Sequence, residues 1–92
     1  MKHNSYFDGK VQSLEVRTID GRATIGVITP GKFTFSTGAE EKIIITSGTL
    51  KAKLHGKDWQ SFSTNQSFIA PGNSAFDVEA AADVSYICYY KD

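Results

Sequence analysis

The residues best suited to chemistry lie close together between Gly31 and Gly48. Alternation along a strand would place Phe33, Phe35 and Thr37 on one face, pointing into the protein. The acidic pair Glu40–Glu41 follows directly. Aromatic faces, a hydroxyl group and carboxylates at one end of a strand can hold an organic ligand and place negative charge beside it. We therefore expect the function of the protein to reside in this stretch.

The length, charge and cysteine content of the chain limit its domain organisation and its possible partners. The 92 residues suffice for one domain, 1–92, with residues 1–5 expected to fray. Ten basic and ten acidic residues cancel, so no overall field would attract nucleic acid or an anionic membrane, although a phosphate could be held locally. The single cysteine, Cys88, cannot form an internal disulfide, and no apolar signal or membrane segment follows Met1, which favours a cytoplasmic protein.

Two alternating runs on either side of Asp20–Gly21 predict a β-hairpin, because this dipeptide suits the central positions of a two-residue turn. The register that follows sets two apolar pairs opposite each other, Val16 with Ile25 and Leu14 with Val27. A slip of one residue would move the apolar set to the wrong side of the sheet. The hairpin is therefore predicted to turn its apolar face inward.

The remaining chain consists of short strand patterns separated by turn signals. Ile43–Ile45 is a β-branched run typical of a strand buried on both sides. Residues 50–54 alternate leucine or alanine with lysine, the pattern of a sheet with one wet face, and Val84, Tyr86, Cys88 and Tyr90 share one parity in a further strand pattern. No window shows a helical period. About eight or nine short strands predict an all-β antiparallel sandwich or barrel.

Two spacings resemble cupin motifs. Glu41, six residues and Gly48 are similar to the back half of the first motif, and Pro71 followed by Phe76 is similar to the second. The resemblance implies a small single-domain cupin-type antiparallel β-barrel of jelly-roll-like form. In metal-binding cupins, histidines stand at three places that are held here by Phe35, Thr37 and Phe76. Because phenylalanine offers no lone pair to a transition metal, we expect no metal here.

A closer resemblance extends over nearly the whole chain. Its most specific part is Phe33–Thr37 beside the acidic pair, and the other segments are Tyr6–Phe7, Gly9–Val11, Gly21–Ala23, Gly26–Val27, Ser47–Gly48, Asp58–Trp59, Pro71–Gly72 and Ser85–Cys88. Together they resemble the small pyrimidine/purine nucleoside phosphorylase family. The resemblance implies a pentosyltransferase in which phosphate, as co-substrate without any cofactor, attacks the anomeric carbon of a nucleoside. Free base and ribose 1-phosphate result, with broad tolerance for purines and pyrimidines.

Phosphorolysis requires a cradle for phosphate, contacts to ribose hydroxyls and stabilisation of positive charge on the sugar. Arg22 could grip phosphate, with Ser36 and Thr37 adding hydroxyl donors. Arg22 could equally be a solvated hairpin residue, and Thr37 an ordinary strand threonine. Glu41 could accept hydrogen bonds from ribose or stabilise an oxocarbenium-like transition state, its alternative being a loop charge in water. Thr37 and Glu41 are the predicted catalytic residues.

Aromatic residues are the candidates for binding the base. Phe35 and Phe76 would provide an apolar surface, with Tyr86 as a third wall, although all three could be ordinary core residues. Stacking would explain broad base tolerance, since every base has a π-face. Cys88 is expected to be a small buried hydrophobe, and Tyr6–Phe7 to be packing or interface residues.

Two readings without catalysis compete with this prediction. One is a cupin that binds a small metabolite in the same interior, and the other is a structural dimerisation module, since a fold of this type hosts many functions. A homodimer is also expected, because a small cupin has open sheet edges and aromatic ends that a partner strand can cover.

Overall fold

The computed structural model describes residues 1–92 and consists of ten β-strands. In chain order they are β1 His3–Tyr6, β2 Val11–Thr18, β3 Gly21–Ile28, β4 Gly31–Ser36, β5 Glu40–Ser47, β6 Thr49–Lys53, β7 Gln60–Ser63, β8 Ser67–Ala70, β9 Ala75–Ala80 and β10 Val84–Lys91. No helix is long and apolar enough to cross a membrane. The predicted all-β fold is confirmed.

The strand that the sequence did not predict is β1. It pairs antiparallel with the start of β2, from His3 opposite Leu14 to Tyr6 opposite Val11. The side chain of Asn4 adds a hydrogen bond to the Ser13 hydroxyl at 3.3 Å. The expectation that residues 1–5 fray is therefore wrong from His3 onward, because the edge of β2 supplies backbone partners for these polar residues.

The strands form two antiparallel sheets that face each other. The larger has the order β1-β2-β3-β10-β5-β8 and the smaller has the order β4-β9-β6-β7. Both contribute to one buried cluster, whose most enclosed side chains include Val11, Ile45, Leu50, Val78 and Val84. No strand pairing joins the two sheets, so they are open at their edges and do not form a continuous barrel ladder.

The predicted hairpin forms from β2 and β3, with its turn one residue earlier than expected. Thr18 pairs with Gly21, so Ile19 and Asp20 form the loop. The Thr18 hydroxyl donates to the Gly21 carbonyl at 2.8 Å and accepts from the Asp20 N–H at 3.1 Å, which fixes this turn. Consequently Leu14 lies opposite Ile25, two residues away from the predicted register.

The apolar face of this hairpin points away from the core, so the prediction of its orientation is wrong. Its four side chains are between 37% and 52% exposed and form what we call the outer apolar face: Leu14, Val16, Ile25 and Val27. The inward face of β2 and β3 carries several small or polar residues, among them Ser13, Thr24 and Gly26. A Cβ atom on Gly26 would lie 2.5 Å from the Tyr86 ring, so small residues are required where that ring packs.

Candidate active site

The stretch around β4 has the predicted orientation. Phe33 and Thr37 are buried, and Phe35 packs against the core from the same side of the strand. Cross-strand pairing sets Phe35 directly opposite Phe76 on β9. Two of the three places where metal-binding cupins carry histidines therefore meet as a pair of aromatic rings.

A cavity of about 310 Å³, which we call the main cavity, opens between the two sheets. Most of its lining is apolar. Five of the seven predicted site residues line it, namely Phe35, Ser36, Glu41, Phe76 and Tyr86. The size and the few polar groups are typical of a small-molecule site.

The aromatic rings of the main cavity form a connected wall. Phe35 and Phe76 are stacked, with centroids 5.6 Å apart and an interplanar angle of 27°. Phe7 meets Phe35 edge-on at 5.6 Å, and Phe68 meets Phe76 in the same way at 6.0 Å. Such a wall presents flat apolar surface to a ligand that has a π-system.

Tyr6 and Phe7 also line the main cavity, a role that the sequence prediction missed. Phe7, Asp8 and Gly9 all have positive φ angles, of 54°, 57° and 83°. A left-handed backbone is unusual for a phenylalanine and is often found at functional sites. The tight turn directs the Phe7 ring onto Phe33, at a centroid distance of 4.9 Å. The signal in the sequence that could have indicated this role is the pair of adjacent aromatic residues shortly before Gly9.

A second cavity, the polar chamber, borders the main cavity and shares four lining residues with it: Tyr6, Ser36, Glu41 and Tyr90. Its charged lining consists of Lys2, Glu15, Arg22, Glu41 and Asp92. An apolar compartment and a polar compartment therefore meet at Glu41 and Ser36.

Arg22 stands on the wall of the polar chamber and is only 29% exposed, so it is more enclosed than a solvated hairpin residue. Its Nε and Nη2 atoms each donate to a carboxylate oxygen of Asp92 at 2.9 Å. The guanidinium carbon lies 4.0 Å from the centroid of the Tyr90 ring. The hydrogen bond to Arg22 lowers the pKa of Asp92. The guanidinium is thus held in a fixed orientation suited to an anion.

Glu41, near the start of β5, is the half-buried carboxylate where the two compartments meet. Its Oε1 atom accepts a hydrogen bond from the Cys88 thiol at 3.3 Å. Burial raises the pKa of Glu41, while the thiol and the charge of Arg22 act in the opposite direction. Cys88 is 2% exposed, and burial together with the Glu41 charge raises the pKa of its thiol. The buried cysteine therefore remains a protonated donor.

Two tyrosines of β10 complete the site on either side of Cys88. Burial raises the pKa of Tyr86 to about 12, with hydrogen bonding to Ser13 opposing the shift. Burial also raises the pKa of Tyr90, whose hydroxyl lies 3.3 Å from that of Thr24. Both phenols are neutral at physiological pH, so the ionisable groups that can carry charge in the site are those that line the polar chamber.

Thr37 is the predicted residue that the structure places apart from the others. It lines neither cavity. Its hydroxyl donates to the Pro71 carbonyl at 2.6 Å and accepts from the Ser74 N–H at 3.0 Å. The Thr37 N–H in turn donates to the Ser74 carbonyl at 2.8 Å. These bonds tie the end of β4 to the loop before β9, so Thr37 positions the neighbouring Ser36.

The side chains at the three positions that correspond to the histidines of metal-binding cupins do not fit a transition metal. Phe35 and Phe76 offer only rings, and the Thr37 hydroxyl is already bonded on both sides. Three or more His, Cys, Asp or Glu side chains do not converge anywhere in the chain. A divalent transition metal requires several such ligands.

Comparison with known proteins first defines the fold class. The chain superposes on a cupin domain from Schizosaccharomyces pombe with a TM-score of 0.71 at 12% identity, covering 89% of this chain and 61% of that one. At that identity the likeness concerns the fold alone, so the arrangement of the two sheets is cupin-like.

The family follows from closer relatives. Residues 1–90 match the profile described as pyrimidine/purine nucleoside phosphorylase, and the chain belongs to this family. It is 45% identical over 89 residues to the pyrimidine/purine nucleoside phosphorylase of Tolumonas auensis, covering 96% of each. A crystal structure of a protein of unknown function from Vibrio parahaemolyticus superposes with a TM-score of 0.91 at 38% identity, covering 95% of this chain and 94% of that one. The resemblance seen in the sequence is confirmed.

Proposed function

We propose that the protein is a pentosyltransferase that catalyses metal-independent phosphorolysis of purine and pyrimidine nucleosides. The observation that carries the proposal is the position of Glu41, between an apolar aromatic cavity and a chamber walled by Arg22. A nucleoside has the same division, since its base is flat and its ribose is polar. Membership of the family supports the same activity.

The base lies in the main cavity, against Phe35 and Phe76. These rings offer surface rather than a fixed set of hydrogen-bond donors and acceptors, and stacking does not depend on which base is present. Tyr86 forms a further wall and is neutral at physiological pH because burial raises its pKa to about 12. Broad base tolerance follows from this lining.

Phosphate enters the polar chamber, where the Arg22 fork binds two of its oxygens and Ser36 donates from the shared wall. Holding phosphate beside the ribose turns a bimolecular attack into a reaction between oriented groups. A phosphate oxygen forms a bond to C1′ as the bond from C1′ to the base nitrogen breaks. The electron pair of that bond leaves with the base, which takes up a proton.

Glu41 accepts hydrogen bonds from the ribose hydroxyls and faces the positive charge that develops on the sugar. Burial raises the pKa of this carboxyl, so its charge is poorly solvated in the free protein. The positive charge that develops on the sugar interacts with this poorly solvated carboxylate. A preorganised carboxylate of this kind therefore stabilises the transition state more than the ground state. Thr37 acts indirectly, by holding the end of β4 in place.

The decisive experiment is incubation of pure protein with uridine, inosine and other nucleosides, with and without phosphate, followed by separation of the products. We expect base release that depends on phosphate and yields ribose 1-phosphate, both before and after treatment with a chelator. Absence of phosphate-dependent release across the panel would refute the proposal. Thermal stabilisation by nucleosides without turnover would instead indicate a protein that binds a metabolite.

Two adjacent carboxylates provide a matched pair of variants. Glu41→Gln should lower kcat by at least about 100-fold, in the range of losses seen when one preorganised electrostatic group is removed. Glu40→Gln, which makes the same change at the neighbouring acid outside both cavity linings, should leave kcat close to that of the unaltered protein. Equal losses in the two variants would remove Glu41 from the mechanism.

We also propose a homodimer formed through the outer apolar face. Four large apolar side chains are exposed together there, and monomeric proteins seldom leave such patches open. The charges of the chain sum to zero, so two copies would not repel each other strongly. Sedimentation should give the mass of a dimer at micromolar concentration. Ile25→Lys, on this face, should yield monomers, whereas Ile19→Lys, at the fully exposed turn beside it, should not.

A further inference from the structure

The guanidinium of Arg22 already holds an anion. Asp92 presents both carboxylate oxygens to Nε and Nη2 in a two-pronged arrangement, with both distances at 2.9 Å. Phosphate is recognised by arginine through the same fork, because two of its oxygens match the two N–H donors. Tyr90 stacks on the guanidinium and fixes its plane. One site on Arg22 therefore suits either anion and cannot hold both.

The charges that line the polar chamber also disfavour the simultaneous presence of phosphate and the Asp92 carboxylate. The lining of the chamber has two cationic side chains, Lys2 and Arg22, and three carboxylates, Glu15, Glu41 and Asp92. A phosphate dianion entering while Asp92 is in place would meet an excess of negative charge. Removing the Asp92 carboxylate from the chamber relieves part of that repulsion.

An alternative cation lies next to Arg22. Arg17 is directly opposite it on β2, and like charges at opposed positions repel unless an anion lies near them. The Arg17 side chain is 80% exposed, and its charge already helps to lower the pKa of Asp92. The Asp92 side chain is itself 54% exposed, so water can solvate its carboxylate when it turns away from Arg22. Asp92 can leave Arg22 without losing every cationic partner.

We propose that Asp92 is a tethered competitor for phosphate, which occupies the anion position on Arg22 and is displaced toward Arg17 when phosphate binds. The inference rests on the proposed phosphorylase function and adds to it a residue that sets phosphate affinity. Asp92 takes no part in bond making. Its effect is confined to the affinity for phosphate and leaves the affinity for the nucleoside unchanged.

The test compares Asp92→Asn with the unaltered protein in two measurements. Titration calorimetry with inorganic phosphate, at constant ionic strength and without nucleoside, should give a Kd about two- to fivefold lower in the variant, as expected for loss of one exposed ion pair. Phosphate KM should fall by a similar factor, with nucleoside KM unchanged. Asp83→Asn removes the same charge from the turn before β10, at the other end of that strand, and should change neither value.

A double variant tests whether Asp92 affects phosphate binding through Arg22. If Asp92 competes only through this residue, adding Asp92→Asn to Arg22→Gln should bring no gain in phosphate affinity. A Kd and a KM for phosphate that are unchanged or higher in Asp92→Asn would overturn the inference, while turnover in the same protein would leave the proposed function standing. Tighter phosphate binding by Asp92→Asn in a protein without turnover would support the inference and refute the phosphorylase. Failure of both proteins to bind phosphate in calorimetry would also overturn the inference, whereas the phosphorylase proposal would still be decided by turnover.

Discussion

Replacing Gly26 with alanine should destabilise the protein through a single contact. Gly26 lies in β3, opposite Ser13 on one side and Tyr86 on the other. An added Cβ would lie 2.5 Å from Cζ and Oη of Tyr86 and 2.8 Å from Cε1. Carbon atoms in contact are normally about 3.5–4.0 Å apart. The ring would therefore have to move by about 1 Å or more, toward the main cavity that it lines.

The size of the effect follows from two opposing contributions. Forcing extra volume into a packed interior costs about 1–3 kcal/mol. The backbone of Gly26 is not in the left-handed region, so alanine should regain about 0.5–1 kcal/mol by reducing the freedom of the unfolded chain. The expected net loss in the free energy of unfolding is about 1 kcal/mol, within a range of about 0–2.5 kcal/mol.

Urea denaturation of a double-mutant cycle measures this directly. In a Tyr86→Ala background the obstacle is gone, so Gly26→Ala should become neutral or stabilising by about 0.5 kcal/mol. Gly38→Ala serves as a control, since a Cβ there would meet nothing within 4 Å and should cause no loss. If Gly26→Ala costs the same with and without the Tyr86 ring, the contact is not the cause and the reasoning fails.

Two further predictions concern the buried polar groups. Burial raises the pKa of Glu41, so its protonated form stabilises the folded protein in acid, and this stability is lost as pH rises through the folded-state pKa. Glu41→Gln removes the cost of burying the charged carboxylate. The variant should therefore raise the free energy of unfolding more at neutral pH than at about pH 4. An equal change at both pH values in urea denaturation would contradict this. The Cys88 thiol, which is 2% exposed and has a raised pKa, should resist a thiol reagent in the native protein and react stoichiometrically in urea. Rapid labelling of native protein would show that the thiol is accessible.

The sequence predicted which residues share a face better than it predicted where that face points. Alternation grouped Phe33, Phe35 and Thr37 correctly, since side chains on a strand alternate whatever packs against them. The same reasoning grouped Leu14 with Val16 and then turned the pair inward, whereas both are exposed. The interior of β2 and β3 needs small residues to accommodate rings from β10, and a pattern confined to one hairpin contains no information about a strand that follows much later.

The candidate site was predicted in part for a similar reason. Residue types close in sequence, such as Phe35 and Glu41, were identified because their spacing matches known motifs. Asp92 lies 70 positions from Arg22, and nothing local connects them. The Thr37 hydroxyl was assigned to catalysis from its aligned position, but the alignment could not show that Pro71 and Ser74 already engage it. Such contacts depend on loop geometry that forms only in the folded chain.

The placement of β10 determines when the site can form during folding. This strand lies between β3 and β5 in the larger sheet, although it is the last of the ten along the chain. Before β10 docks, no strand pairing joins the three strands β1, β2 and β3 to the pair formed by β5 and β8. The site then also lacks Tyr86, Cys88 and Tyr90. Distant pairings of this kind make folding slow, on the order of milliseconds to seconds. The complete site therefore forms only after residues 84–91 have docked between β3 and β5.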